Sequence, residues 1–157
     1  MPQAEGATLL THELPTDGIV YLDVALELRR LSLDDLPLLP LLTRMLSELG
    51  TATSDETAFS RRIGSQTGGL RVSYTTMRKP LLGPNGLAAV GSADEVQGYL
   101  MLRGKAVVSK CGNLFDLATE MLTSTNLNQP ERVKEMLKES KVSFHRDGLS
   151  ECLSLPL

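Results

Sequence analysis

The stretch from Ile19 to Gly50 constrains the fold more than any other part of the chain, because its hydrophobic period changes once and sharply. The first part alternates apolar and polar residues, which predicts a strand with one buried face; its apolar positions are Val20, Leu22, Val24, Leu26 and Leu28. The second part spaces apolar residues by three and four, which predicts a helix; these residues are Leu38, Leu39, Leu42, Met45, Leu46 and Leu49. We expect this leucine stripe to pack on the sheet.

Capping residues and prolines suggest where this helix begins and ends. Ser32 and Asp35 have the spacing of an N-terminal cap. Pro37 is tolerated in a first helical turn, whereas Pro40 is awkward there, so we expect the helix to begin near Pro37 or to kink. Gly50 follows the last periodic residue and is predicted to cap the C-terminus.

The rest of the chain repeats the same two patterns. Thr8–Leu14 and the turn at residues 15–18 predict a strand that forms an antiparallel hairpin with the Val20 strand. The further predicted elements are a helix capped at residues 54–56 with Phe59 and Ile63 inward, a strand at Leu70–Met77, a surface loop at 79–96, a strand at Gln97–Ser109, a helix at Asn113–Ser124, and a helix at Pro130–Phe144 with Val133 and Leu137 inward and a solvated charged face. This order predicts an α+β two-layer sandwich of an antiparallel sheet with helices on one face.

Composition and charge exclude several classes of function. The 157 residues, 41% hydrophobic and 22% charged, are enough for one domain with a real core. A net charge of −3 and a pI near 5.4 argue against a nucleic-acid partner, which needs a basic face. No apolar run approaches the ~20 residues that cross a bilayer, and the N-terminal residues lack the pattern of a signal or transit peptide. We therefore expect no nucleic-acid and no membrane partner.

The histidines and cysteines do not form a recognisable catalytic pattern. Zinc hydrolysis needs clustered ligands and a general base, but His12 and His145 lie far apart, and neither HExxH nor HxxEH is present. We interpret His12 as an ordinary strand residue and His145 as an exposed one. Cys111, expected to be partly buried, and Cys152 do not make a disulfide framework. The residues thus predict no catalytic, cofactor-binding or metal site in this chain.

Several short motifs, taken in order, resemble the pitrilysin-type zinc metallopeptidases of the presequence protease and falcilysin group. The motifs are GIVY at 18–21, LPLLPL at 36–41, LGT at 49–51, Ile63 followed by TGG at 67–69, LRGKA at 102–106, and ER at 131–132. Together they cover residues 9–144. Their order and spacing are similar to the first domain of the family's C-terminal half, whereas the zinc motif of that family lies in the N-terminal half.

The resemblance implies a role by enclosure. These peptidases are built from two bowl-shaped halves that close around an unfolded peptide, and the parent enzymes degrade targeting peptides and other short peptides. The chain would then be a non-catalytic chamber-wall domain, inactive alone, whose partners are the remaining domains of its parent chain and the peptide substrate. Zinc is implied for the parent enzyme only. A free-standing interaction module without protease activity, and a self-sufficient enzyme of unrecognised chemistry, stay open as alternatives.

The resemblance also suggests boundaries and a compartment. Residues 1–144 are predicted to form the domain, with an irregular loop at 79–96, and residues 145–157 match nothing in the family. Since the family continues through a further helix and another domain, we expect the chain to be a truncated piece. The compartment cannot be read from the residues, and the resemblance implies the mitochondrial matrix or a plastid.

Overall fold

The computed structural model of the protein describes residues 3–4, 6–32, 34–78, 81–82, 88–89 and 96–140. The long strands in these ranges are Ile19–Glu27 (β1), Leu70–Arg78 (β2) and Val96–Val107 (β3). The helices are Leu39–Glu48 (α1), Glu56–Gln66 (α2), Cys111–Thr123 (α3) and residues 130–140 (α4). Short 3-10 helices precede α1 at Leu36–Leu38 and α3 at Val108–Lys110.

The three long strands form one antiparallel sheet in the order β1-β3-β2. The central strand is therefore β3, and the two outer strands are separated in the chain by α1 and α2. In the register, Arg103 of β3 lies between Asp23 of β1 and Arg71 of β2. Because successive side chains of a strand point to opposite faces, this register sorts the residues of all three strands into two faces.

One face of the sheet and the helix layer enclose the hydrophobic core. Its buried members are Leu46 of α1, Phe59 of α2, Leu117, Ala118 and Met121 of α3, and Val72, Leu100 and Leu102 of the sheet. Leu22 and Val24 of β1 are partly buried and pack against this cluster. The predicted α+β arrangement, an antiparallel sheet with helices on one face, is confirmed.

Two prolines set the start of α1, as their positions indicated. Pro37 occupies the first positions of the 3-10 helix, and Pro40 occupies the first positions of α1. There the missing N–H removes no intrahelical hydrogen bond, so the helix begins in two steps. Ser32 does not cap the helix backbone; its hydroxyl donates to the Asp35 carboxylate at 2.7 Å.

The leucine stripe of α1 packs on the sheet, with a shift in its members. Leu39, Leu46 and Leu49 are buried, whereas Leu42 and Met45 are half-buried. Leu38 is 55% exposed because it lies in the 3-10 helix before α1. The prediction that Leu38 belongs to the buried face is therefore wrong.

The turn between α1 and α2 is tight, and Gly50 has a steric role there rather than the predicted capping role. Leu49 takes the cap position in an extended conformation. A Cβ on Gly50 would lie 2.5 Å from the Ser54 carbonyl oxygen and 2.7 Å from the Asp55 carbonyl carbon. Asp55 caps α2 as predicted, since its carboxylate accepts a hydrogen bond from the Ala58 N–H at 2.7 Å.

Helix α4 corresponds to the described part of the predicted helix at Pro130–Phe144. Its buried residue is Met136, which is 0% exposed, and Val133 one turn earlier is half-buried. Leu137, predicted to face inward, is 48% exposed. The apolar face of α4 is therefore one residue away from the predicted position.

The predicted hairpin between Thr8–Leu14 and β1 is wrong. Ala7–Thr8 pairs with Gln3–Ala4 instead, and residues 9–16 have no regular secondary structure. The predicted turn before β1 is present, with left-handed φ values of 49° at Asp17 and 78° at Gly18. Strand β1 pairs along its whole length with β3, which comes much later in the chain.

Most of the predicted 79–96 loop, and the whole 145–157 tail, lie outside the described residues. Leu81–Leu82 pairs antiparallel with Ala88–Ala89, and Val96 already belongs to β3. The division into a domain at 1–144 and a tail at 145–157 stays a prediction.

Candidate functional site

The sheet face that points away from the core carries the best candidate for a binding site. The side chains that alternate to this face at one end of the sheet are Tyr21, Asp23, Arg71, Arg103 and Lys105. Together with the backbone at residues 68–70 they line an open concavity of about 610 Å³. Helices α1, α2 and α3 pack on the opposite face, so none of them closes it.

Positive charge dominates this concavity. Arg71 and Arg103 lie directly opposite each other on neighbouring strands, an arrangement in which like charges destabilise a sheet. Lys105 lies two residues further along β3, on the same face. The carboxylate among these lining residues is Asp23, whose Oδ2 is 3.5 Å from Arg103 Nε, with 60% and 43% of the two side chains exposed. The concavity thus carries an excess of cations, although the whole chain has a net charge of −3.

A second polar cluster joins α2, α3 and the turn after α1. Glu120 accepts hydrogen bonds from both terminal nitrogens of Arg62, at 3.0 and 2.9 Å. The hydroxyls of Thr51 and Thr53 each donate to the same carboxylate at 2.6 Å. Arg62 Nη1 also donates to the Ser54 hydroxyl at 2.8 Å. Because the Glu120 carboxylate is satisfied from several sides, the cluster fixes the turn and leaves little capacity for a ligand.

These bonds also set the ionisation of Glu120. The hydrogen bonds from Arg62 hold the pKa of this carboxyl down to about 2, and those from Thr51 and Thr53 act in the same direction against its partial burial. The carboxylate is therefore ionised over the whole physiological range, and its role in the folded chain is structural.

We expect the Glu120 cluster to make the protein sensitive to acid. A carboxyl whose pKa is lower in the folded chain contributes stability above its unfolded value, here 4.5, and loses that contribution as the pH falls towards 2. Urea denaturation should show a steeper fall in the free energy of unfolding over this interval for the wild type than for Glu120→Gln. Thr53→Val, which removes one donor, should give an intermediate slope. Equal slopes in all three proteins would contradict this role.

Charged side chains also attach α4 to the rest of the helix layer. Arg44 of α1 donates to the Glu139 carboxylate at 2.8 Å and to the Met136 carbonyl oxygen at 3.1 Å. Arg132 of α4 reaches the Glu56 carboxylate of α2 at 3.2 Å. The prediction of a purely solvated charged face on this helix is therefore wrong, most clearly for Arg132, whose side chain is 29% exposed.

The histidines and cysteines noted in the sequence are not brought together in the described structure. His12 is exposed in a segment without regular structure, not in a strand as predicted. Cys111 is half-buried at the start of α3, as expected. His145 and Cys152 lie outside the described residues. Within the described ranges, no three His, Cys, Asp or Glu side chains meet in a way that could hold a metal ion.

Sequence reasoning did not single out the cationic residues of the concavity. Arg71, Arg103 and Lys105 occupy the polar positions of two strands whose existence was predicted. Alternation shows that these side chains share a face with other polar residues of their own strand. It does not show that β2 and β3 are neighbours, and only that pairing brings the three cations together.

No helix in the part of the chain that the structure describes is both long and apolar enough to cross a bilayer.

The fold and the site define an α+β sandwich domain with one open, cationic sheet face. The family model described as associated with peptidase family M-16, subfamily C, matches residues 2–150, and the chain belongs to that family. The resemblance to the pitrilysin-type presequence protease group is confirmed.

Individual relatives are much longer than this chain. Presequence protease 1, chloroplastic/mitochondrial, of Arabidopsis thaliana is 28% identical over 136 residues, which are 87% of this chain and 12% of the relative. The mitochondrial presequence protease of Yarrowia lipolytica is 29% identical over 130 residues, covering 83% and 12%. Protein HypA of Clostridium perfringens is 25% identical over 160 residues, covering 97% and 15%. The chain therefore spans only 12% to 15% of the relatives named here.

Proposed function

We propose that the chain is a non-catalytic chamber-wall domain of a pitrilysin-type zinc peptidase that degrades targeting peptides and other short unfolded peptides. The family match over residues 2–150 carries this proposal. The names of the relatives support it, because two of them are presequence proteases of which the chain covers 12%. Its partners are then the remaining domains of the same parent chain and the enclosed peptide.

The geometry supports a wall rather than a catalytic centre. Helices cover one face of the sheet, and the other face presents a wide concavity at which an extended peptide can lie. The described residues do not fit a zinc site, since His12 is alone and exposed and no ligand cluster forms among them. Zinc would belong to another part of the parent enzyme, and this chain would contribute enclosure and peptide contacts.

The proposed compartment is a mitochondrion or a plastid. The names of the relatives from Arabidopsis thaliana and Yarrowia lipolytica place those proteins in these organelles, whereas the name of protein HypA gives no compartment. Fractionation of source cells with an antibody to this chain tests the assignment.

We expect the isolated chain to bind no stoichiometric zinc and to cleave no peptide, because the described residues supply no ligand cluster. Metal analysis and a fluorogenic unfolded peptide measure both properties. Cleavage should appear when the chain is joined to the zinc-bearing and remaining domains of a family parent. Deleting it from that assembly should abolish cleavage while zinc stays bound.

Two outcomes would contradict the proposal. Cleavage by the isolated chain, with one tightly held zinc that is lost in His12→Ala, would make the chain an enzyme. Full cleavage by the assembly without this domain would remove its role in the chamber, and the free-standing interaction module would then be the better description.

A further inference from the structure

We propose that the open sheet face binds a carboxylate-bearing segment of an extended peptide, held in the concavity by Arg71, Arg103 and Lys105. The inference rests on the proposed function and deepens it, since it names the chemistry of one contact between the wall and its substrate. It predicts a preference for acidic stretches at this position of the chamber.

The first support is the placing of like charges. Arg71 and Arg103 are direct cross-strand neighbours, so their repulsion works against the pairing of β2 with β3. Arginine cannot relieve this repulsion by losing its proton. Asp23 compensates only in part, because its contact with Arg103 is 3.5 Å long and both side chains are largely exposed. A ligand carboxylate placed between the two guanidinium groups relieves the repulsion and can accept paired hydrogen bonds from either fork.

The second support is that the cations are held on rigid backbone. Arg103 lies on the central strand, which is paired on both sides. The backbone of Lys105 is tied to the turn after α2, since the Gly68 N–H donates to its carbonyl oxygen at 2.7 Å and its own N–H donates to the Gly69 carbonyl oxygen at 3.2 Å. The stem of Lys105 lies over Gly68, where an added Cβ would be 3.1 Å from its Cγ. Binding therefore requires little ordering of the backbone.

The third support is the shape and the wall of the concavity. About 610 Å³ is far more space than a single carboxylate fills, so the site fits a segment of chain rather than a small ion. Tyr21 is 63% exposed at its edge. An exposed aromatic ring beside cations offers an apolar surface for the stem and backbone of an acidic peptide.

The test uses the 157-residue chain and a pair of labelled, unstructured peptides that differ only in a central run of Glu or of Gln. Fluorescence anisotropy should show the Glu peptide binding about tenfold more tightly, because each charge-assisted hydrogen bond is stronger than its neutral counterpart. Added salt should reduce that preference. Equal binding of the two peptides would overturn the inference, and this comparison needs no variant to fold. Displacement of the Glu peptide by inorganic phosphate at equal concentration would overturn it too, because the site would then bind any anion.

Variants locate the site. Arg71→Gln and Arg103→Gln should each weaken the Glu peptide by about tenfold and leave the Gln peptide unchanged. Arg61→Gln is the matched control, because Arg61 is an exposed arginine of α2 in the helix layer. An equal loss in Arg61→Gln would show a general charge effect and overturn the assignment. If the Glu preference fails while the assembled parent still needs this domain for cleavage, the chamber-wall proposal survives and this inference does not.

Discussion

Phe59→Ala should lower the free energy of unfolding by ~3–5 kcal/mol, the range for removing a fully buried phenylalanine. The Phe59 side chain is 1% exposed in the cluster that joins α1, α2 and α3 to the sheet. The Arg62 guanidinium lies 5.9 Å from its ring centroid, so the ring also supports the arginine that binds Glu120. Urea denaturation of the purified variant measures the loss.

The matched control for this substitution is Phe115→Ala on α3. Phe115 is 48% exposed, so its truncation should change the free energy of unfolding by only ~0.5 kcal/mol. Both variants remove the same side chain from a helix, and the difference between them reports burial alone. Similar losses in the two proteins would mean that the helix layer does not pack on the sheet as described.

The elements predicted best are those whose signals are local. The alternation after Ile19 predicted β1, and the period of the leucines predicted α1, because a strand and a helix each sort side chains by a fixed repeat. Asp55 was predicted to cap α2 because an Asp before a helix satisfies the N–H of a residue three positions on. Each of these signals depends on residues within one or two turns of chain.

The pairing of strands was predicted worst, because alternation identifies a face and not a partner. The turn at Asp17 and Gly18 suggested a hairpin with the preceding residues, yet β1 pairs with β3. The cationic concavity depends on the same long-range pairing, since Arg71 and Arg103 meet only because β2 lies on the other side of β3.

Charged residues on helices show a similar limit. Arg132 was predicted to lie on a solvated face, and no pattern in the sequence singled out Glu120. Each has a partner on another helix, Glu56 for Arg132 and Arg62 for Glu120. A pattern of charges on one helix cannot show which of them will meet an opposite charge across the layer. The statement about catalytic motifs is of another kind, because it concerns ligand spacing along the chain, which the sequence displays directly.

Gly50→Ala should destabilise the protein by about 3 kcal/mol, at the upper end of the usual penalty for overpacking. The new Cβ would lie 2.5 Å from the Ser54 carbonyl oxygen, which belongs to backbone and cannot rotate away. The turn is also fixed by backbone bonds, from the Thr51 N–H to the Ser54 carbonyl oxygen at 2.7 Å and from the Asn126 N–H to the Gly50 carbonyl oxygen at 2.9 Å. Relief of the clash must therefore stretch contacts on both sides of the turn.

Gly64→Ala is the control that separates this clash from the general effect of replacing glycine. Both substitutions reduce the freedom of the unfolded chain equally, but an added Cβ on Gly64 of α2 meets nothing within 4 Å. This variant should gain ~0.5–1 kcal/mol, as expected for Ala over Gly in a helix. A shift of the turn in Gly50→Ala should also weaken the bonds from Thr51 and Thr53 to Glu120, so the slope of stability between pH 4.5 and 2 should flatten. Two glycine variants of equal stability would show that the turn can yield, and that Gly50 is not needed for its close approach.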